Sequence, residues 1–293
     1  MRLVSLLPSA TEIVTALGLY DDLVGVTFEC DEPARARAEK VVIVGGRDTA
    51  AMAPAEIDLY VRSQLASGGD LYTLHSDALA TLDADVVLTQ DLCRVCAIPS
   101  DRVEDALGYL GCHADVLSLD PYTLDEVLET IATIGDRTGA QQQAARLLAD
   151  LRGRLAAVAR ATAGLPRPRT AVLEWTDPPF RAGHWVPDLV VAAGGEPVAA
   201  NPGARSTEIS WDEVEAAKPD VVLVAPCGFH LDGAVAQAET VARRLPAAAV
   251  WAIDADGLVV RPGPRLVDGV EAIAAMLHPG AVPAPPRGAI QRV

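Results

Sequence analysis

The sequence predicts an α/β protein with two Rossmann-like lobes, each built on a parallel β-sheet, joined by one long helix. Short apolar runs alternate with helix-type segments in both halves of the chain, a pattern typical of β-α-β units. Between Thr123 and Ala163 this alternation stops and no strand-type run occurs. Half of the 293 residues are apolar, which is enough for two hydrophobic cores. We therefore expect an N-terminal lobe over residues 1–122, a helical connection over 123–164 and a C-terminal lobe over 165–293.

The N-terminal lobe contains five apolar runs that are typical of buried strands. They cover residues 2–8, 23–28, 41–46, 86–90 and 116–120. The run at 86–90 is continuously apolar, as in a strand that is covered on both faces of a parallel sheet. The segments at 11–19, 54–68, 76–85 and 103–111 have helical spacing. We expect Ser9 or Thr11 to cap the first helix.

The connection should be helical and the C-terminal lobe should repeat the strand-helix alternation. Thr123 and Glu126 have the spacing of a capping box, and the following segment is rich in Ala, Leu, Arg and Gln. That composition predicts a helix of about 20–25 residues. Predicted strands in the C-terminal lobe cover 170–175, 221–226, 249–254 and 257–260, and predicted helices cover 186–195, 210–220 and 266–279. The Pro-rich tail after residue 279 is expected to be loose.

The composition excludes some classes of partner. The formal net charge is −16, and an acidic surface repels nucleic acids and anionic membranes. No apolar run approaches the ~18 residues of a transmembrane helix, and the first residues read as a strand instead of a secretory leader. We expect no nucleic-acid partner and no membrane insertion. The chain as encoded is expected to be cytoplasmic, with a periplasmic or extracellular location if a leader has been removed.

Cysteines occur in three loops that follow predicted strands. Cys30, Cys93, Cys96 and Cys227 all lie there, and ligands of open parallel sheets bind at the carboxyl ends of the strands. If these loops line one cleft between the lobes, four thiolates would select zinc, copper(I) or an iron–sulfur cluster. Two alternatives stay open. The C-x-x-C pair fits a redox dithiol, and free cysteines often pack as small hydrophobes.

A second group of candidate residues suits a flat or anionic ligand. Trp175 and Trp185 flank a loop that also contains His184, and aromatic faces stack well on conjugated ligands. Core packing is the alternative for each tryptophan. His184 fits a metal ligand or a hydrogen-bonded structural residue. Arg261 directly follows a predicted strand and suits a carboxylate or a phosphate.

Glu29 and Asp31 flank Cys30 and are candidate ligand contacts, with a role as polar loop residues as the alternative. Motifs of common enzymes do not occur: there is no Walker-type glycine loop, no G-x-S-x-G and no H-E-x-x-H. The sequence thus favours binding over catalysis without excluding an enzyme.

Several of these stretches together carry a resemblance to a known family. They are SLLPSATE at 5–12, ECDEP at 29–33, DLCRVCA at 91–97, GHWVPDLV at 183–190 and RPGPRLVDG at 261–269. With them the chain resembles, over nearly its whole length, the cobalamin-type substrate-binding proteins of ABC importers, a group with the helical-backbone metal receptor fold. The resemblance implies two βα lobes joined by a long helix, and a corrinoid or another metal chelate held in the cleft between them. It also implies an ABC importer as partner and Trp175 and Trp185 as cleft residues.

The cysteines and the apparent lack of a leader depart from that family pattern. They leave one alternative function open. In it, the protein is a cytosolic metalloprotein or enzyme that holds zinc or an iron–sulfur cluster on Cys30, Cys93, Cys96 and Cys227.

Overall fold

The structure is a computed structural model that describes residues 1–49, 52–92, 98–110 and 113–293. The chain divides into two compact units. The N-terminal unit comprises residues 1–120 and 129–147, and the C-terminal unit comprises 121–128 and 148–293. The predicted α/β class and the two sheets are confirmed. That residues 123–164 form a separate connecting segment between the lobes stays a prediction.

The N-terminal unit is built on a six-stranded sheet. In chain order its strands are β1 (Leu3–Ser5), β2 (Leu23–Thr27), β3 (Val41–Gly46), β4 (Tyr72–Leu74), β5 (Val86–Thr89) and β6 (Asp115–Ser118). They are arranged in the order β4-β3-β2-β1-β5-β6, and only β4 runs antiparallel to its neighbour. Strands β1 and β5 are buried along their whole length and mostly apolar, as the continuous run at 86–90 predicted. The helices are α1 (Pro8–Ala16), α2 (Ala36–Glu39), α3 (Pro54–Ala66), α4 (Ser76–Thr81) and α5 (Ser100–Leu110).

Two helices follow that contribute residues to both units. They are α6 (Leu124–Thr138) and α7 (Gln141–Thr162). The 22 residues of α7 confirm the predicted long helix, and at 1.5 Å per residue they span about 33 Å. The predicted capping box at the start of α6 is present, because Thr123 Oγ1 accepts from the Glu126 N–H at 3.2 Å and Glu126 Oε2 accepts from the Thr123 N–H at 3.1 Å. No helix in the described ranges has the length and apolar character needed to cross a membrane.

The C-terminal unit is built on a seven-stranded sheet. Its strands are β7 (Arg169–Thr176), β8 (Pro179–Arg181), β9 (Glu196–Pro197), β10 (Thr207–Glu208), β11 (Val221–Val224), β12 (Ala249–Ile253) and β13 (Ile290–Arg292). The order is β10-β8-β7-β11-β12-β13, with β9 also paired to β7. Within it, β7, β11 and β12 are neighbours and parallel, so their carboxyl ends share one edge. The helices are α8 (Val186–Ala192), α9 (Trp211–Ala216), α10 (Leu231–Arg244), α11 (Ala255–Leu258) and α12 (Leu266–Leu277).

Three local predictions were wrong. Residues 257–260 do not form a strand, because the Asp254 side chain accepts from the Gly257 N–H and caps the short helix α11. The tail after residue 279 is not wholly loose, since β13 pairs with β12 and covers what would otherwise be an edge strand. Helix α1 begins at Pro8 after the cap residue Leu7, because proline has no N–H to satisfy in the first turn.

Candidate ligand-binding site

An aromatic pair lies at the shared carboxyl edge of β7, β11 and β12. Trp175, near the end of β7, is half-buried, and its ring centroid lies 5.7 Å from that of Phe229 in the loop after β11. The indole N–H donates to the Asp177 carbonyl at 3.1 Å, which fixes the ring orientation. This edge therefore presents a partly exposed aromatic surface at the place where ligands of parallel sheets bind.

The loop after β11 is held by hydrogen bonds to β7 and to α11. The Cys227 N–H donates to the Glu174 carbonyl at 3.1 Å, and the Gly228 N–H donates to Asp256 Oδ1 at 2.9 Å. The Cys227 thiol is exposed. Cys227 thus sits at the carboxyl edge on a backbone that hydrogen bonds fix from β7 and from α11.

Arg261 is oriented by the same carboxylate that holds Gly228. Its guanidinium contacts Asp256 Oδ2 at 3.1 Å, and each of the two side chains is only 13% exposed. Nearby, His230 Nδ1 lies 2.8 Å from Asp254 Oδ1. The two aspartates follow β12, so they link the loops after β11 and β12 into one hydrogen-bonded network. The predicted anion contact of Arg261 stays a prediction.

The second tryptophan of the predicted pair has a different environment. Trp185 is 5% exposed, and its indole N–H donates to the Val259 carbonyl at 2.8 Å. The bond ties the start of α8 to the segment after α11. These contacts favour the core-packing alternative for Trp185 over a direct ligand contact.

His184, next to it, has an unusual environment. Its φ is +48°, in the left-handed region. Its ring centroid lies 5.6 Å from that of Tyr122 and 5.6 Å from that of Trp185. Burial and the positive charge of Arg205 lower the pKa of its imidazole below the ordinary 6.5, so the ring is neutral at pH 7. Nε2 is enclosed and has no hydrogen-bond partner among the described residues, so the hydrogen-bonded structural role does not hold for this atom.

In the N-terminal unit, Glu29 and Asp31 are half-buried residues of the loop after β2. Glu29 Oε1 accepts from the Tyr72 hydroxyl at 3.3 Å, and the ring of Tyr72 lies 6.2 Å from that of Phe28. The bond fastens the loop to β4. Contact of Glu29 or Asp31 with a ligand stays a prediction.

Cys30 is fully buried, and its hydrogen bonding can be assigned a direction. The Ser5 hydroxyl donates to the Leu7 carbonyl at 2.8 Å, so the Ser5 oxygen accepts from Thr11 at 2.9 Å. The single hydroxyl proton of Thr11 is then used, and the Cys30 thiol, 3.0 Å away, must donate to the Thr11 oxygen. A thiol that donates is protonated, whereas a metal ligand is a thiolate.

Two other cysteines of the predicted metal site lie outside the residues that the structure describes. Cys93 and Cys96 lie in the range 93–97, beyond the described residues. In the described ranges, no group of three or more His, Cys, Asp or Glu side chains is arranged to hold a metal ion. The four-cysteine site and the redox dithiol therefore stay predictions.

Some residues at the site were missed from sequence. They are Tyr122, Phe229, His230, Asp254 and Asp256. Phe229, His230 and Asp254 follow strands that were predicted, so the rule that ligands bind at the carboxyl ends could have found them. Tyr122 precedes α6 and had no comparable signal.

Comparison with known proteins agrees with this fold. Residues 3–252 match the sequence profile of a family described as periplasmic binding protein. A cobalamin-binding protein of Halobacterium salinarum is 26% identical over 287 residues, which cover 94% of this chain and 69% of the relative. A vitamin B12-binding protein of Vibrio cholerae is 26% identical over 283 residues, which cover 94% of this chain and 88% of the relative. The solved structure of a periplasmic heme-binding protein from Roseiflexus sp. RS-1 has the same fold, with a TM-score of 0.68 and 24% identity over 96% of this chain and 98% of that one.

The family predicted from the opening motif and the tryptophan loop is thereby confirmed, since the profile covers most of the chain. The chain belongs to the periplasmic binding protein family.

Proposed function

We propose that this protein binds a corrinoid and presents it to an ABC importer. The observation that carries the proposal is the similarity, over 94% of the chain, to cobalamin- and B12-binding proteins of an archaeon and a bacterium. The periplasmic location fits the family, whereas no observation supports the cytoplasmic location or the enzyme alternative expected from the sequence.

The geometry at the carboxyl edge of the C-terminal unit supports the same ligand class. A corrin is a flat ring with amide side chains around its rim. The Trp175–Phe229 pair offers a partly exposed aromatic surface for the ring. Arg261, oriented by Asp256, is a cation within the same network and suits carbonyl or phosphate oxygens.

Calorimetric titration with cyanocobalamin tests this proposal. We expect saturable binding of one cobalamin per chain. Absence of heat and of retention in equilibrium dialysis at ligand concentrations up to about 1 mM, where binding would be weaker than about −4 kcal/mol, would refute it.

A second candidate function is the binding of zinc or an iron–sulfur cluster by the four cysteines. The exposed thiol of Cys227 at the carboxyl edge favours it, while the donating thiol of Cys30 counts against it. Metal analysis and an absorption spectrum of anaerobically purified protein decide the question. Less than about one zinc per chain and no cluster absorption would remove this candidate.

A further inference from the structure

His230 is an exposed histidine beside the aromatic pair at the carboxyl edge of the C-terminal unit. It directly follows Phe229, whose ring pairs with that of Trp175, and its own side chain is 61% exposed. The backbone before it is fixed, because the Phe229 N–H donates to the Pro226 carbonyl at 3.2 Å and the Phe229 carbonyl accepts from the Asp256 N–H at 3.3 Å. The imidazole therefore projects from a fixed point next to the aromatic surface.

One nitrogen of the imidazole is held by an anchored carboxylate. His230 Nδ1 lies 2.8 Å from Asp254 Oδ1, and the Asp254 side chain is 19% exposed. The same carboxylate oxygen accepts from the Gly257 N–H at 3.3 Å, and the Asp254 N–H donates to the Ala289 carbonyl at 2.9 Å. Because α11 and the C-terminal segment both hold Asp254, this aspartate sets the orientation of the imidazole.

The contact with Asp254 also assigns the hydrogen of the neutral ring. An ionised carboxylate only accepts, so Nδ1 carries the hydrogen and the lone pair is on Nε2. Nδ1 faces a carboxylate that is mostly buried, so the exposed part of the ring is the side that carries Nε2. His230 thus presents a hydrogen-bond acceptor, in a set orientation, beside the aromatic pair.

The position of this acceptor suits the rim of a flat ligand. A ring that stacks on Trp175 and Phe229 offers them its face, and a side chain at the border of the stack meets the ring substituents. The rim of a corrin carries primary amides, which donate N–H. The rim of a haem carries carboxylates, which only accept when they are ionised. An oriented acceptor at the border therefore matches the corrin rim.

We propose that His230 Nε2 accepts a hydrogen bond from a rim amide of the bound corrinoid, and that this contact makes the site selective for corrinoids. The inference rests on the proposed function and deepens it, because it names the group of the ligand that the site recognises. No covalent bond forms or breaks, so the contact is measured as a difference in affinity.

Two corrinoid derivatives isolate the contact. Dicyanocobinamide carries amides on its rim, whereas heptamethyl dicyanocobyrinate carries methyl esters, which keep the carbonyl and lack the N–H. Both lack the nucleotide, and both carry cyanide on cobalt. Calorimetric titrations at about pH 8 compare them while the imidazole is neutral.

Three variants separate recognition of the ligand from support of the loop. His230→Asn can place an N–H near the position of Nδ1 and keep the bond to Asp254, but it has no acceptor at the position of Nε2. The longer side chain of His230→Gln can place its amide oxygen there. His75→Ala is the matched control, because His75 is an exposed histidine of the N-terminal unit.

We expect the preference for the amide corrinoid over the ester to be roughly fivefold larger in the wild type and His75→Ala than in His230→Asn, as one hydrogen bond supplies. His230→Gln should recover part of the preference. A merely structural effect on the loop would weaken binding of both corrinoids alike and would leave their ratio unchanged.

The possible failures are distinguishable. Equal ratios in the wild type and His230→Asn would overturn the inference and leave the proposed function standing. If the wild type binds neither cyanocobalamin nor dicyanocobinamide, the proposed function itself fails. If His230→Asn does not fold, His230→Leu, whose side chain has no hydrogen-bonding group, takes its place with the same two outcomes.

Discussion

Trp175 and Trp185 belong to one loop region and have opposite surroundings. The ring of Trp175 is half-buried beside Phe229, and that of Trp185 is 5% exposed with its N–H bonded to Val259. Only Trp175 can touch a ligand while the surrounding contacts stay intact.

Replacing Trp175 with alanine should therefore weaken corrinoid binding. Aromatic residues at the centre of an interface cost about 2 kcal/mol when truncated, so we expect roughly 30-fold weaker binding by calorimetry. Leu165→Ala is the matched control, because it removes an exposed apolar side chain from the connection before β7. Equal affinities of Trp175→Ala and Leu165→Ala would contradict this role.

The lowered pKa of His184 has a consequence for stability. The unfolded chain, with a pKa near 6.5, binds the proton more readily than the folded chain. Stability is then fully present above that value and falls as the pH drops from it towards the folded pKa.

Urea unfolding at about pH 7.5 and about pH 5.5 measures this effect. We expect the wild type to lose more free energy of unfolding on acidification than His184→Asn, since other titrating groups cancel in the difference. An equal loss in both proteins would show that folding does not lower the pKa of the His184 imidazole.

For these residues, the sequence shows the chemical character of each side chain but not the groups that the side chain contacts in the fold. It identified both tryptophans and His184 as candidates. The acceptor of Trp185 is the carbonyl of Val259, far along the chain, and the aromatic neighbour of His184 is Tyr122, before α6. Such pairings depend on tertiary structure, so no spacing in the sequence predicts them.

Among the elements, α6 and α7 are joined by a short turn and pack closely within the N-terminal unit. Gly135 on α6 faces α7 so tightly that a Cβ there would lie 2.6 Å from the Ala144 Cβ. By contrast, Gly153 on α7 is exposed, and a Cβ there would meet nothing within 4 Å. The two helical glycines should thus respond in opposite ways to the same substitution.

Gly135→Ala should destabilise the protein by about 1–3 kcal/mol, because the added methyl group overpacks the helix contact. Gly153→Ala should stabilise it by roughly 0.5–1 kcal/mol through helix propensity. Thermal unfolding of both variants beside the wild type measures the effects. Stabilisation by both substitutions would show that α6 and α7 are not packed this closely.

The elements that were predicted correctly have a signal in their own residues. Buried parallel strands read as continuous apolar runs, and the capping box before α6 has fixed spacing. The short strands β8, β9, β10 and β13 were missed, because two or three residues carry no periodicity. Their pairing comes from the neighbouring strand.

For the whole molecule, the fold and the family were predictable and the ligand is a proposal. Alternation of strands and helices in both halves, with a strand-free middle, was sufficient for the architecture. Proteins similar to this chain in sequence or in fold include ones described as binding cobalamin and heme. Fold alone does not choose between such ligands, so the choice depends on the site.

Parallel calorimetric titrations with cyanocobalamin and with haem test the central claim most directly. The account predicts one cobalamin per chain, bound more tightly than haem. Binding of haem in preference to cobalamin, or of neither, would contradict it.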